Sequence, residues 1–268
     1  MMVDIDDVGF YRETVYFEMD RETEDEEPGN SDDRNRHNGV CGGDGRGDGG
    51  EVLMVAGDIH LGLERELQDS GYNMSFDEEG RLERKLRDCL SYVDPDVVVF
   101  NGDIHHRFDE ISSAAETIKR IDEVVESRGS RAVYVEGNHD TMLDSVVDTT
   151  GRYIWGSSNI SVCCMHGDEV PVDLPDADLY VVGHDHPYIE IEMDKQPCYL
   201  YGDFRDGNVL VVPPFNPFCS GTVVNSMSSS DFMTPFVRGD FGEFRVVVEK
   251  EKGEVLKFPE IREFRNML

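Results

Sequence analysis

Five short apolar runs, each ending on glycine, aspartate, asparagine or histidine, limit what this chain can fold into. Residues 52–56 lead into Gly57-Asp58-Ile59-His60, and residues 96–100 into Asn101-Gly102-Asp103. Residues 132–135 lead into Gly137-Asn138-His139-Asp140, residues 161–165 into His166, and residues 179–182 into Gly183-His184-Asp185-His186. Short, bounded apolar runs of this kind read as buried strands. Between them, residues 76–92 put Leu82, Leu86 and Leu90 on one helical face. Residues 111–127 do the same with Ile111, Ile118, Ile121 and Val125, and Gly129 marks the stop. Strands alternating with helices predict an α/β fold.

After His186, residues 189–192, 197–201, 208–212, 243–248 and 254–258 read as further strands. Asp206-Gly207 and Glu251-Lys252-Gly253 look like their hairpin turns. They are expected to complete a second sheet, so that residues 51–268 form one domain. Residues 1–20 hold a strand or hairpin (Phe10, Tyr11, Val15, Tyr16, Phe17) expected to pack on that core. Residues 21–50 are acidic, glycine-rich and almost free of apolar side chains, which predicts a disordered loop. Their glycine run at 42–50 lacks the lysine and following helix of a phosphate loop, so it reads as a linker.

The formal net charge is −32, which works against binding nucleic acid through a broad basic face. A chain so acidic repels itself at low ionic strength, and one reading is a salt-rich cytoplasm. No apolar run is long enough to span a bilayer, and the N-terminus lacks a basic segment followed by an apolar one. The expectation is a cytoplasmic protein with no membrane partner. None of Cys41, Cys89, Cys163, Cys164, Cys198 and Cys219 is spaced as CxxC, so they read as buried free thiols. Adjacent Cys163 and Cys164 would face opposite sides of a strand.

The chemistry gathers at the strand ends, where sites form in open α/β sheets. Asp58, Asp103, His60, His166, His184, His186 and Asn138 offer two carboxylates, four imidazoles and an amide. Mixed nitrogen and oxygen donors suit manganese, iron or zinc, whereas magnesium and calcium favour oxygen alone. Each motif alone is weak: a Gly-Asp pair is usually a turn, and a lone histidine is more often a core or surface residue. Their conjunction, each following a strand, is hard to explain as chance turns. His105 and His106 either approach the site or form an exposed pair on a loop. Asp185 either supports a ligand or faces solvent, and Arg107 either touches a substrate phosphate or pairs with an acid.

The series D-x-H, G-D, G-N-H-D, H and G-H-x-H resembles the calcineurin-like metallophosphoesterase superfamily, in its archaeal-type branch related to double-strand-break repair nucleases. The branch is matched by Asp58-Ile59-His60-Leu61-Gly62 with Glu64, by Asn101-Gly102-Asp103-Ile104 with His106, by Gly183-His184-Asp185-His186-Pro187 and by the Pro/Phe-rich stretch 213–221. Where many relatives carry a further histidine after His166, this chain has Gly167-Asp168. The resemblance implies an α/β (α+β) fold: a two-sheet β-sandwich flanked by helices, with the metal site at the C-terminal strand ends. It implies two divalent cations, manganese first and iron, zinc or nickel as alternatives. Asp58, His60 and His186 would hold one and Asn138, His166 and His184 the other, with Asp103 bridging. His139 would stand over the phosphate as general acid, Asp140 would orient it, and Asn138 and His139 would meet the substrate.

The expected function is hydrolysis of a phosphodiester by a metal-bridging hydroxide. The small size and the acidic charge favour a nucleotide or single-stranded nucleic acid. A phosphomonoesterase for a protein or metabolite, or a metal-bearing non-catalytic module of a repair complex, are the alternatives. A homodimer contact would fall on residues 237–243 and 258–268, which read equally as a last strand and a frayed end.

Overall fold

A computed structural model describes residues 3–18, 50–72, 75–106, 112–156, 160–239, 241–250 and 253–265. The loop expected at 21–50 lies outside them apart from Gly50, and so does Arg107. The first sheet runs β1 (Gly9–Tyr11), β2 (Thr14–Glu18), β3 (Val52–Gly57), β4 (Val97–Asn101), β5 (Arg131–Val135) and β6 (Thr149–Thr150), neighbour to neighbour. β1, β2 and β3 pair antiparallel, and β3 to β6 pair parallel.

The remaining strands are β7 (Tyr153–Gly156), β8 (Ser161–Cys164), β9 (Leu179–Val182), β10 (Pro187–Ile191), β11 (Asp194–Pro197), β12 (Tyr199–Phe204), β13 (Gly207–Val211), β14 (Thr222–Val223), β15 (Arg245–Glu249) and β16 (Val255–Glu260). The second sheet has the order β16-β15-β12-β13-β9-β8-β7, in which β13, β9 and β8 are parallel. β11, β10 and β14 make a small third sheet.

Period-two alternation sorts the side chains into three layers. Leu53, Val55, Val97 and Val99 of the first sheet meet Val162, Cys164, Leu179, Val181 and Leu210 of the second, forming the inside of a sandwich. Met54, Ala56, Val98 and Phe100 face the other way, onto α2 (Glu78–Val93) and α3 (Ser112–Glu126). α2 is a helix because Leu82, Leu86 and Leu90 recur every four residues, and all three are buried there. It ends at Asp94, which takes a left-handed conformation just before Pro95. On the second sheet, Cys163, Tyr180, Val182 and Val211 are covered by Phe232, Phe236, Phe241 and Phe244 and by Ile261 and Phe264 of α4 (Ile261–Phe264). The architecture is therefore the expected two-sheet sandwich, but its two long helices flank one sheet only.

The hairpin loop after β12 is Arg205-Asp206, one residue earlier than expected, since Gly207 already pairs with Phe204. The segment expected as one strand at 197–201 divides between β11 and β12 at Cys198. α1 (Leu63–Asp69) is additional to the elements read from the sequence. Among the described residues, no helix is long and apolar enough to cross a membrane.

Candidate metal centre

Parallel strands point their carboxyl ends the same way, so β3, β4 and β5 deliver three loops to one edge of their sheet, and β8 and β9 deliver two. The two edges are joined. The buried Asn101 donates its side-chain amide to the carbonyls of Met165 (2.8 Å) and Val181 (3.2 Å). Asp58 Oδ2 accepts the backbone N–H of His184 at 3.0 Å. After β13 the chain crosses between the sheets: Val212 N–H donates to Val182, and Phe215 N–H to Gly57 at 2.7 Å. The loops after β3 and β4 continue the ladder, His60 N–H donating to Asp103 and Leu61 N–H to Ile104.

The local backbone is strained where the ligand candidates sit. Asp58, His60, Asp103, His184 and His186 all have positive φ, between 41° and 71°. Non-glycine residues rarely adopt this region, and such outliers gather where the surroundings force a side chain into a functional direction. Two glycines are required by close approach. A Cβ on Gly137 would stand 2.2 Å from Asp103 Oδ1, and one on Gly183 2.3 Å from Asp58 Oδ2.

All seven candidate ligands from the sequence come together. His60 Nε2 lies 3.2 Å from His186 Nε2, and His184 Nδ1 lies 2.9 Å from His166 Nε2. Asn138 Oδ1 is 2.9 Å from the same His166 nitrogen. One ligand atom each from Asp58, His60 and Asp103 fall within 4.8 Å of one another, and so do those of Asp103, His166 and His184. Asp103 belongs to both groups.

The cluster's electrostatics are set by burial against attraction. Burial pushes the Asp58 carboxyl up, but the nearby His186 and His166 outweigh it and hold it well below its usual range. Burial first, with the neighbouring His186, His106 and His139 and against Asp58, takes His60 well below its ordinary value, and burial with the neighbouring His166 lowers His184. Burial also disfavours the cations of His166 and His186, yet Asp58 overrides it, raising His166 to about 9 and raising His186 as well. Asp103 is raised, by burial first. Asp58 Oδ1 and His166 Nδ1 face each other at 3.4 Å, and both are buried without a hydrogen-bond partner. That separation is long for a hydrogen bond, so charge attraction is the cause we credit.

These observations fit cations. Imidazole nitrogens facing one another near 3 Å and an orphaned buried carboxylate oxygen are costly unless something positive shares them. The donor set, mixed nitrogen and oxygen, is that of a transition-metal site.

His139 borders the cluster, its side chain one-quarter exposed and Nε2 3.9 Å from Asp103 Oδ2. Its Nδ1 sits 2.9 Å from the carbonyl of His106. The hydrogen bonds given to the buried Asp140 run elsewhere than expected: it accepts the backbone N–H of Gly137 (2.8 Å), Ile104 (3.1 Å) and His105 (2.9 Å). Asp140 thus ties the Gly137–Asp140 turn to the loop carrying Asp103, and the His106 carbonyl is the group that meets the His139 ring nitrogen. His106 itself reaches the cluster, with Nδ1 3.2 Å from His60 Nδ1 and Nε2 2.9 Å from Glu66, while His105 is buried under the loop. Asp185 is buried and accepts the N–H groups of Met233 and Thr234, each at 2.8 Å, rather than facing solvent.

Sequence reasoning missed a support beneath His60. Asn216, fully buried, donates to the carbonyl of Ile59 (3.0 Å) and to Glu78 (2.7 Å). Glu78 and Glu64 each accept the other's backbone N–H, so each carboxylate sits at the amino end of the other's helix. The only sequence signal was that Glu64 and the 213–221 stretch belonged to the resemblance.

Residues 52–172 match the model of the calcineurin-like phosphoesterases. Similar solved structures include the nuclease MPE of Pseudomonas putida, at 17% identity over 77% of this chain and 87% of that one, with a TM-score of 0.49. The E. coli phosphoesterase YfcE gives 16%, 78%, 98% and 0.40 in the same order. Vps29 of Entamoeba histolytica, complexed with zinc, gives 14%, 77%, 96% and 0.34. No curated protein matches the chain by sequence.

Proposed function

We propose that the chain is a calcineurin-like phosphoesterase, as the match of residues 52–172 supports, and that it hydrolyses phosphodiesters of nucleotide or single-stranded nucleic-acid type, using two divalent cations. The observation that carries this reading is Asp103, whose carboxylate is shared by a group with Asp58 and His60 and a group with His166 and His184. Asp58, His60 and His186 would hold one cation and Asn138, His166 and His184 the other, manganese first, with iron, zinc or nickel as alternatives. Such a pair, when bound, makes water acidic enough to attack at neutral pH and neutralises phosphate oxygens.

The chain's own residues supply the rest. Asp103 would offset the repulsion between the two cations. His139 is the group placed to move a proton at the border of the cluster, its side chain one-quarter exposed. Its Nδ1 is held by the His106 carbonyl, which accepts an N–H and so steadies the protonated ring. That leaves Nε2 to give its proton to the departing oxygen of the ester. Asn138, exposed beside His166, is placed to meet the phosphate. The net charge of −32 opposes a long polyanion, which favours a small or single-stranded substrate.

The test is hydrolysis of bis-p-nitrophenyl phosphate and of the monoester by metal-stripped protein, with Mn²⁺ restored, beside His139→Ala. The reading predicts metal-dependent turnover that favours the diester and falls about 10²–10⁴-fold in the variant. Faster hydrolysis of the monoester would move the assignment to a phosphomonoesterase. A protein that binds the metal but turns over neither ester would be a non-catalytic module.

A further inference from the structure

Cys219 does not behave as a thiol stored in the core. It lies on the turn that follows the crossing segment between the sheets, and its sulfur falls within 4.8 Å of ligand nitrogens of both His60 and His186. The Nε2 atoms of the same two rings are 3.2 Å apart, so both rings and the sulfur border one small volume. Asp58, fully buried, stands beside the same rings with Oδ2 3.6 Å from His186 Nε2, and its Oδ1, which faces His166, has no hydrogen-bond partner.

The turn is fixed to the site. Cys219 N–H donates to Asn216, and Phe218 N–H donates to the Asn216 side chain. Tyr188 O–H donates to the Cys219 carbonyl at 3.1 Å. The next carbonyl, Ser220, lies 3.0 Å from His186 Nδ1. A carbonyl accepts, so His186 carries its proton on Nδ1 and keeps the Nε2 lone pair available beside His60 Nε2 and Asp58. The same turn therefore sets the tautomer of one ligand and brings a sulfur to its side.

We propose that Cys219 is a further ligand of the cation held by Asp58, His60 and His186, and that it biases this position toward zinc, iron or cobalt over manganese. The inference rests on the metal-centre reading above and goes beyond its ligand set. Binding would form one sulfur–metal bond and release the thiol proton to solvent. A soft thiolate beside two imidazoles favours borderline ions, whereas the second position, with Asn138, His166 and His184, has no sulfur donor among the described residues. The two positions would then differ in metal preference.

Cobalt(II) tests this without reference to activity. Co²⁺ is titrated into metal-stripped wild-type protein and Cys219→Ser, and both the visible ligand-field bands and the near-ultraviolet sulfur-to-cobalt band are followed. The wild type is expected to show both. The variant should keep the visible bands, lose the sulfur band and bind zinc over manganese with a preference reduced roughly tenfold or more. Visible bands without a sulfur band in the wild type, or a sulfur band that survives in the variant, would overturn the role of Cys219 and leave the metal centre standing. Absence of every cobalt band would overturn both.

Discussion

Asp58 of the first sheet accepts a hydrogen bond from the backbone of His184 in the second, at 3.0 Å, so one buried carboxylate holds the two ligand loops together. Gly183 leaves the room for it, because a Cβ there would lie 2.3 Å from the carboxylate oxygen. Gly183→Ala should push Asp58 aside and weaken Mn²⁺ binding by about tenfold or more, as disturbed ligand orientation does. The sandwich core is untouched, so far-ultraviolet circular dichroism should not change. Calorimetric titration with Mn²⁺ reads the effect, and an unaltered affinity would show that Asp58 has slack the distances do not suggest.

Asp140 illustrates a role that proximity in sequence disguised. It accepts three backbone N–H groups, from Gly137, Ile104 and His105. Asp140→Ala should therefore cost about 2–4 kcal/mol of stability, since buried donors left without acceptors are expensive. Urea denaturation of the metal-free protein measures it. An unchanged midpoint together with lost activity would return Asp140 to a purely catalytic duty.

Metal should stabilise the fold. A ligand bound only by the native state adds about 2.7 kcal/mol when present at a hundred times its dissociation constant. Chelation is expected to lower the melting temperature while leaving a cooperative transition, because the three apolar layers stand without the site. A protein that melts identically with and without chelator would not hold its cations through these residues.

The acidic surface gives a salt prediction. With a net charge of −32, self-repulsion falls as the ionic strength rises. The melting temperature should climb from dilute buffer to concentrated KCl. A flat response would remove the salt-rich cytoplasm as an explanation of the composition.

What the sequence showed of this architecture follows from where its information is local. The strands β3, β4, β5, β8 and β9 are apolar and short, and each is followed by ligand candidates, so the fold and the residues that cluster could be read along the chain. α1 could not, because its seven residues bury no side chain and so carry no periodic apolar signal. β14 has only two residues, and β6 likewise. Asn216 and Glu78 meet across 138 positions, and a hydrogen bond between distant polar residues leaves no pattern in either neighbourhood. The backbone hydrogen bonds of Asp140 were hidden for the opposite reason. Its neighbour His139 was conspicuous, but the turn in which Asp140 N–H donates to Gly137 curls its carboxylate back toward the Asp103 loop. Cys219 lacked a second cysteine to draw attention to it, and only the crossing segment brings it beside His60 and His186.

In the proposed site Asp103 serves two cations at once, which metal stoichiometry decides. Metal-stripped wild-type protein and Asp103→Ala would each be titrated with Mn²⁺ and the bound metal counted after gel filtration. The account predicts two ions per wild-type chain and the loss or severe weakening of both in the variant. A variant that still retains one ion at wild-type affinity, or a wild type that never takes up more than one, would contradict it.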